Sequence, residues 1–193
     1  MVENNREWSG TPLAFGLVVM KFLLIVLAAL ATTLTGTTLE KLTFDEMVGK
    51  STQIVRGRIA LSNVRQHGAI YYSHYSVQVS EQYKGPAAKV IDVVLPGGTI
   101  GRSQQTFSGV PVFPADTDLV LFLWTSKAGL THIIGLSQGV FQVSKDSAGQ
   151  TIFSRESIRD GLVDGKTGRP AADGGMRLTA AEFSSRVRGG ATK

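Results

Sequence analysis

The residues best placed to do chemistry are a glycine-flanked serine, three histidines, a pair of aspartates and a glycine-rich loop. The run Gly135-Leu136-Ser137-Gln138-Gly139 satisfies G-x-S-x-G, the pattern that raises a nucleophilic serine on a strained strand-to-helix turn. The next residues, Val140-Phe-Gln-Val143, alternate like a strand, and His67, His74 and His132 all precede the serine. That order is opposite to the serine, acid, histidine order of the hydrolase fold, so the spacing predicts a bend between strands and no acylating serine. The histidines are far apart in the chain, without the i, i+4 or closely spaced pairs of a recognisable metal centre, and no metal ligand is expected among them. Asp116 and Asp118 could hold a cation together with a carbonyl, but aspartates at the mouth of a strand are expected to shape a turn or a hydrogen-bonded corner.

Pro96-Gly97-Gly98-Thr-Ile-Gly101 lacks the Lys-Ser/Thr end and the succeeding helix of a phosphate loop. No catalytic residue, cofactor or metal is therefore assigned. Glycine leaves backbone groups bare for close approach, so Gly97, Gly98, Gly101, Ser137 and Gln138 are the candidates for contact with a partner. Tyr72 and Trp124 are aromatic residues that could join them.

These residues are carried by a strand-rich chain. Leu39–Lys50 has helix-like apolar spacing, with Thr43 ahead of Asp45 and Glu46 as a cap, and predicts a short amphipathic helix. Gln53–Leu61, Ile70–Ser80 and Lys89–Leu95 then read as strands, separated by turn signals at Gln66-His67-Gly68 and Lys84-Gly85-Pro86. In the second strand Tyr71, Ser73, Tyr75, Val77 and Val79 share the face expected to look into the core, with Tyr72 and His74 on the other. Gly97–Thr117 reads as a long loop. Asp118–Trp124 is the most apolar strand and is expected to be covered on both faces.

Leu130–Gly135, Gly139–Ser144 and Gln150–Phe153 are the next strands, the last two forming a hairpin around Asp146–Gly149. Gly161–Gly175 reads as a surface loop, and Thr179-Ala-Ala-Glu182 is a capping box opening a helix to about Val187. The pattern implies a mainly β fold: a small closed or partly open barrel, or a sandwich, with a short helix near each end. The expected organisation is an N-terminal extension and signal peptide over residues 1–38, a β-rich domain over 39–160, and a loop with a short helix over 161–193.

Met20 and Lys21 precede the apolar run Phe22–Leu30, the n-region and h-region of a signal peptide. The expected start is Met20, with cleavage between Ala31 and Thr38; the alternative is a retained membrane helix over Leu13–Leu34. About 155 residues then remain, enough to bury one core. The absence of cysteine excludes thiolate metal sites, cysteine nucleophiles and disulfide staples. The formal charge of +5 comes from scattered basic residues with no stripe, so nucleic-acid binding is not expected.

Ile54-Val-Arg-Gly-Arg58, Tyr83-Lys-Gly85, Leu95-Pro-Gly-Gly98, the Leu119–Leu123 strand and Gly135-Leu-Ser-Gln-Gly-Val-Phe141 together resemble an uncharacterised family of exported bacterial β-rich proteins. In layout alone they are also similar to the netrin-like barrel of tissue inhibitors of metalloproteinases, whose cysteine-dependent inhibition this chain cannot share. The resemblance implies a fold and an exported location, and no activity. The expected function is a non-enzymatic binding or interaction module whose partner is an extracytoplasmic protein or envelope component, in a secreted or periplasmic location. The alternatives are a hydrolase or peptidase-associated factor and a structural envelope protein.

Overall fold

The computed structural model describes residues 38–114 and 116–190. The expected signal peptide, with its expected start at Met20 and the expected cleavage region through Thr37, lies outside the described residues. Strand β1 (Leu39–Glu40) precedes helix α1 (Phe44–Lys50) and the long strands β2 (Gln53–His67) and β3 (Ile70–Lys84). Next come β4 (Val90–Pro96), the short pair β5 (Gly98–Ile100) and β6 (Ser103–Gln105), and β7 (Thr117–Thr125). β8 (Thr131–Ile133) leads through a 3-10 turn at Leu136–Gly139 to β9 (Val140–Lys145) and β10 (Thr151–Arg155). β11 (Ile158–Val163), β12 (Pro170–Asp173) and β13 (Met176–Thr179) precede helix α2 (Ala180–Gly190).

The strands β7, β2, β3, β4 and β8 pair in that order, and β8 pairs back onto β7, which closes a five-stranded barrel. The closure removes the free edges that an open sheet would expose. All its ladders are antiparallel except β4–β8. Beyond β7 the same sheet continues through β9, β10 and β13.

The apolar run in β7 explains the layering, because successive side chains of a strand point to opposite faces. Leu119, Leu121 and Leu123 point into the barrel, where they pack with Val55, Ile59, Val77, Ile91, Val93 and Leu95. Val120 and Phe122 point the other way, into a second core closed by Phe44 and Met47 of α1 and Phe183 and Val187 of α2. Coverage of both faces is as expected for so continuous an apolar strand. On β3, Ser73 and Val77 are buried and Tyr75 and Val79 pack against the barrel core, as the alternation predicts.

Both helices start with a capping box. The Thr43 hydroxyl accepts from Glu46 N–H at 3.2 Å while Glu46 accepts from Thr43 N–H at 2.8 Å, and Thr179 and Glu182 repeat the arrangement. These hydrogen bonds hold both glutamate carboxyls below their ordinary pKa.

The structure corrects several element boundaries. Leu39–Glu40 is not helical; it pairs in parallel with β11, with Leu39 opposite Leu162. Gly161–Gly175 is not wholly loop, since β11 and β12 form an antiparallel pair there. The Gly97–Thr117 loop contains the β5–β6 hairpin, and α2 runs on to Gly190. Short strands of this kind have too few residues to display a period and are specified by the partner strand.

β2 shifts register against β3 between Arg56 and Gly57, and the glycine is required there. A Cβ on Gly57 would stand 2.4 Å from the carbonyl oxygen of Gln78 and 3.0 Å from Val77 Cγ1. Gly57→Ala is expected to lower stability by about 1–3 kcal/mol through overpacking. Urea denaturation measures it, and an unchanged midpoint would show that the two strands part at no cost.

Candidate functional site

The residues singled out by sequence are divided between two places. Gly97 and Gly98 line a small cavity of about 170 Å³ with Tyr75, Gln105 and Phe107. Their positive φ angles, 98° and 138°, let the chain turn from β4 into β5. A Cβ on Gly98 would stand 2.6 Å from Val64 Cγ1 and 2.7 Å from Ser73 Oγ, so close packing within the fold accounts for this glycine. Gly101, with φ 59°, sits in the exposed turn between β5 and β6.

Ser137 and Gln138 lie in the 3-10 turn, capped by Gly135 in the left-handed region at φ 59°. Gln138 is fully buried; its Oε1 accepts from Leu42 N–H at 2.8 Å and its Nε2 donates to the Glu40 carbonyl at 2.9 Å. It is thus a clamp on the segment entering α1, with no free side-chain atom for a partner. Ser137 is half-buried in a groove of about 390 Å³ with Pro111, Gln142, Arg155 and Glu156. No histidine lines that groove, and strand β9 succeeds the turn where a nucleophile elbow needs a helix.

Asp118 has its carboxylate taken by Arg56, whose Nη2 donates to Oδ2 at 2.7 Å and whose Nη1 donates to Glu81 at 2.6 Å. This ion pair holds the Arg56 guanidinium above its usual pKa. Burial, helped by the neighbouring Glu81 carboxylate, pushes the Tyr83 hydroxyl well up.

A different set of residues converges on the outer face of the barrel. His67, His74 and His132, remote in sequence, line one groove of about 410 Å³ with Arg65, Gln66, Tyr72, Val94 and Leu130. The register explains how they meet. Tyr72 stands opposite Arg65, His74 opposite Val94, and Thr131 beside Val93, so His132 falls next to Val94 on its other side. Val94 points outward yet is only 2% exposed, and forms the floor. His74 Nδ1 lies 2.9 Å from Asp92 Oδ2, and His132 Nδ1 lies 3.2 Å from the Val94 carbonyl oxygen.

Trp124, opposite His132 in register and 46% exposed, stacks on that imidazole at 5.8 Å between ring centroids. His132 also borders a second groove, of about 540 Å³, lined by Leu39, Leu42, Lys50, Trp124 and Ile134. Among the described residues, no group of three or more His, Asp or Glu side chains is arranged to hold a metal ion. The outward alternation of Tyr72 and His74 is the one local signal of this groove in the sequence; the approach of His132 depends on strand pairing and leaves none.

Fold and groove together define a closed-barrel protein whose outer face carries an aromatic and imidazole-lined recess. No family model, no curated protein and no solved structure matches the chain.

Proposed function

We propose that the chain is an exported, non-enzymatic binding module that takes an extracytoplasmic protein or envelope component on the outer face of its barrel. The observation that carries this reading is the groove of about 410 Å³, built on paired strands and lined by polar groups that the fold does not use up. Its volume lies within the range of about 300–1,000 Å³ usual for ligand sites. Paired strands fix the backbone that carries these side chains before a ligand arrives, which limits the ordering entropy that binding must overcome. The Met20, Lys21 and Phe22–Leu30 pattern supports export, and a cysteine-free chain has no thiol to oxidise outside the cytoplasm.

The test is retention of the purified chain by envelope and secreted fractions of its own source, beside Tyr72→Ala and Ser137→Ala variants that keep the wild-type melting temperature. Retention is expected for the wild type and for Ser137→Ala, and its loss for Tyr72→Ala. Equal retention of all three chains, or of none above control, would overturn the reading.

A further inference from the structure

We infer that the barrel groove binds an acidic oligosaccharide, with a sugar ring laid against Tyr72 over Val94 and Leu130 and its carboxylate or sulfate on Arg65. This rests on the binding-module reading and adds a ligand class to it. Gln66 is engaged, donating from Nε2 to the Gly68 carbonyl, whereas the side chains of Arg65 and His67 and the Tyr72 hydroxyl have no hydrogen-bond or ion-pair partner among the described residues. An exposed arginine alone is ordinary surface. Here the guanidinium borders a concave, aromatic-walled recess, and its planar fork matches the geometry of an oxyanion.

The imidazoles narrow the ligand further. A carboxylate and a carbonyl only accept hydrogen bonds, so the neutral rings of His74 and His132 carry their proton on Nδ1. Each Nε2 is left as an acceptor that needs a donor. A bare inorganic anion such as sulfate brings no such donor, and an apolar acid supplies none beyond its acidic group. A sugar supplies hydroxyls that donate to the Nε2 atoms and accept from Tyr72 or Arg65, and an apolar ring face for the floor. The exposed face of Trp124, stacked on His132, continues the aromatic surface past the groove, so more than one sugar unit is accommodated.

The charged and titratable groups around the recess are Arg65 and His67 on β2, Tyr72 and His74 on β3, Asp92 on β4 and His132 on β8. Asp92 is already held by His74, and Glu40, which lines the adjoining groove with His132 and Trp124, is paired with Lys50.

The experiment is titration calorimetry of the purified chain with a uronic-acid oligomer, a sulfated oligomer, a neutral hexose oligomer of equal length, and inorganic sulfate. At least one acidic oligomer is expected to bind about tenfold or more tighter than the neutral oligomer and inorganic sulfate. Which acidic oligomer is preferred identifies the group held by Arg65. Arg65→Ala and Tyr72→Ala should each weaken that binding about tenfold at unchanged melting temperature. Absence of saturable binding to both acidic oligomers, equal binding of the neutral oligomer or of sulfate, or indifference to both variants would overturn the inference. If the oligomers fail while envelope retention still depends on Tyr72, the ligand class falls and the binding module stands; if that retention fails too, both fall.

Discussion

Arg155→Ala is expected to destabilise the protein by about 3–5 kcal/mol, because it leaves a buried carboxylate without its counter-charge. Arg155 and Asp173 have side chains only 5% and 9% exposed and form an ion pair through Nη2 and Oδ2. The same guanidinium donates from Nη1 to the Gln138 carbonyl at 2.7 Å and lies over the Phe141 ring at 5.4 Å. One side chain thus joins β10, β12, the 3-10 turn and β9. Burial pulls the guanidinium pKa down, and the Asp173 charge and hydrogen bond oppose that shift.

Replacing both residues, as Arg155→Met with Asp173→Leu, removes the stranded charge and should recover most of the loss. Urea denaturation of the two single variants and the double variant tests this. A single-variant loss below about 1 kcal/mol would place the pair among weak surface bridges.

Phe183→Ala is expected to cost a comparable amount, about 3–5 kcal/mol, as a large-to-small change in a packed core. Phe183 is fully buried, with edge-on neighbours in Phe44 at 5.5 Å, Tyr83 at 5.1 Å, Phe122 at 5.8 Å and Phe153 at 5.1 Å. Those rings come from α1, β3, β7 and β10, so the cavity would open where α2 meets every layer it covers. Phe183→Leu keeps most of the volume and should cost less than about 1.5 kcal/mol. Thermal and urea unfolding of the two variants separates the explanations: a similar loss for both would mean that ring stacking, not filled volume, holds α2.

Local features are plain in the sequence. Asp118–Trp124 shows its two covered faces as an unbroken apolar run, and Thr43 and Thr179 announce both helix starts with glutamates three residues on. The G-x-S-x-G match is also legible through its context, since the strand after Gly139 is visible in Val140–Val143. Features made by distant pairing are hidden. β1 is two residues long and exists because β11 lies beside it. Arg155 and Gln138 read as surface residues by type, and only the three-dimensional neighbours Asp173, Glu40 and Leu42 account for their burial.

The groove is the strongest case. Arg65 and Tyr72 are cross-strand partners in the β2–β3 hairpin, but His132 reaches them by the single parallel bridge between Val93 and Thr131. Loops are the natural place to seek a partner, because glycine frees backbone there. At Gly97 and Gly98 that freedom serves the turn into β5, and the unused polar groups stand on strands instead.

On β7, β8 takes the Leu123–Thr125 end of one edge and β9 takes the Leu119–Leu121 end, while β2 occupies the other edge from Thr117 to Leu123. The barrel and the helix-covered sheet therefore share a backbone as well as a boundary, and neither layer can open without stripping hydrogen bonds from this strand. Such a chain lacks a seam along which to melt in stages: β7 belongs to the last cooperative unit to exchange its amides, and a lesion on either of its faces is felt by both cores.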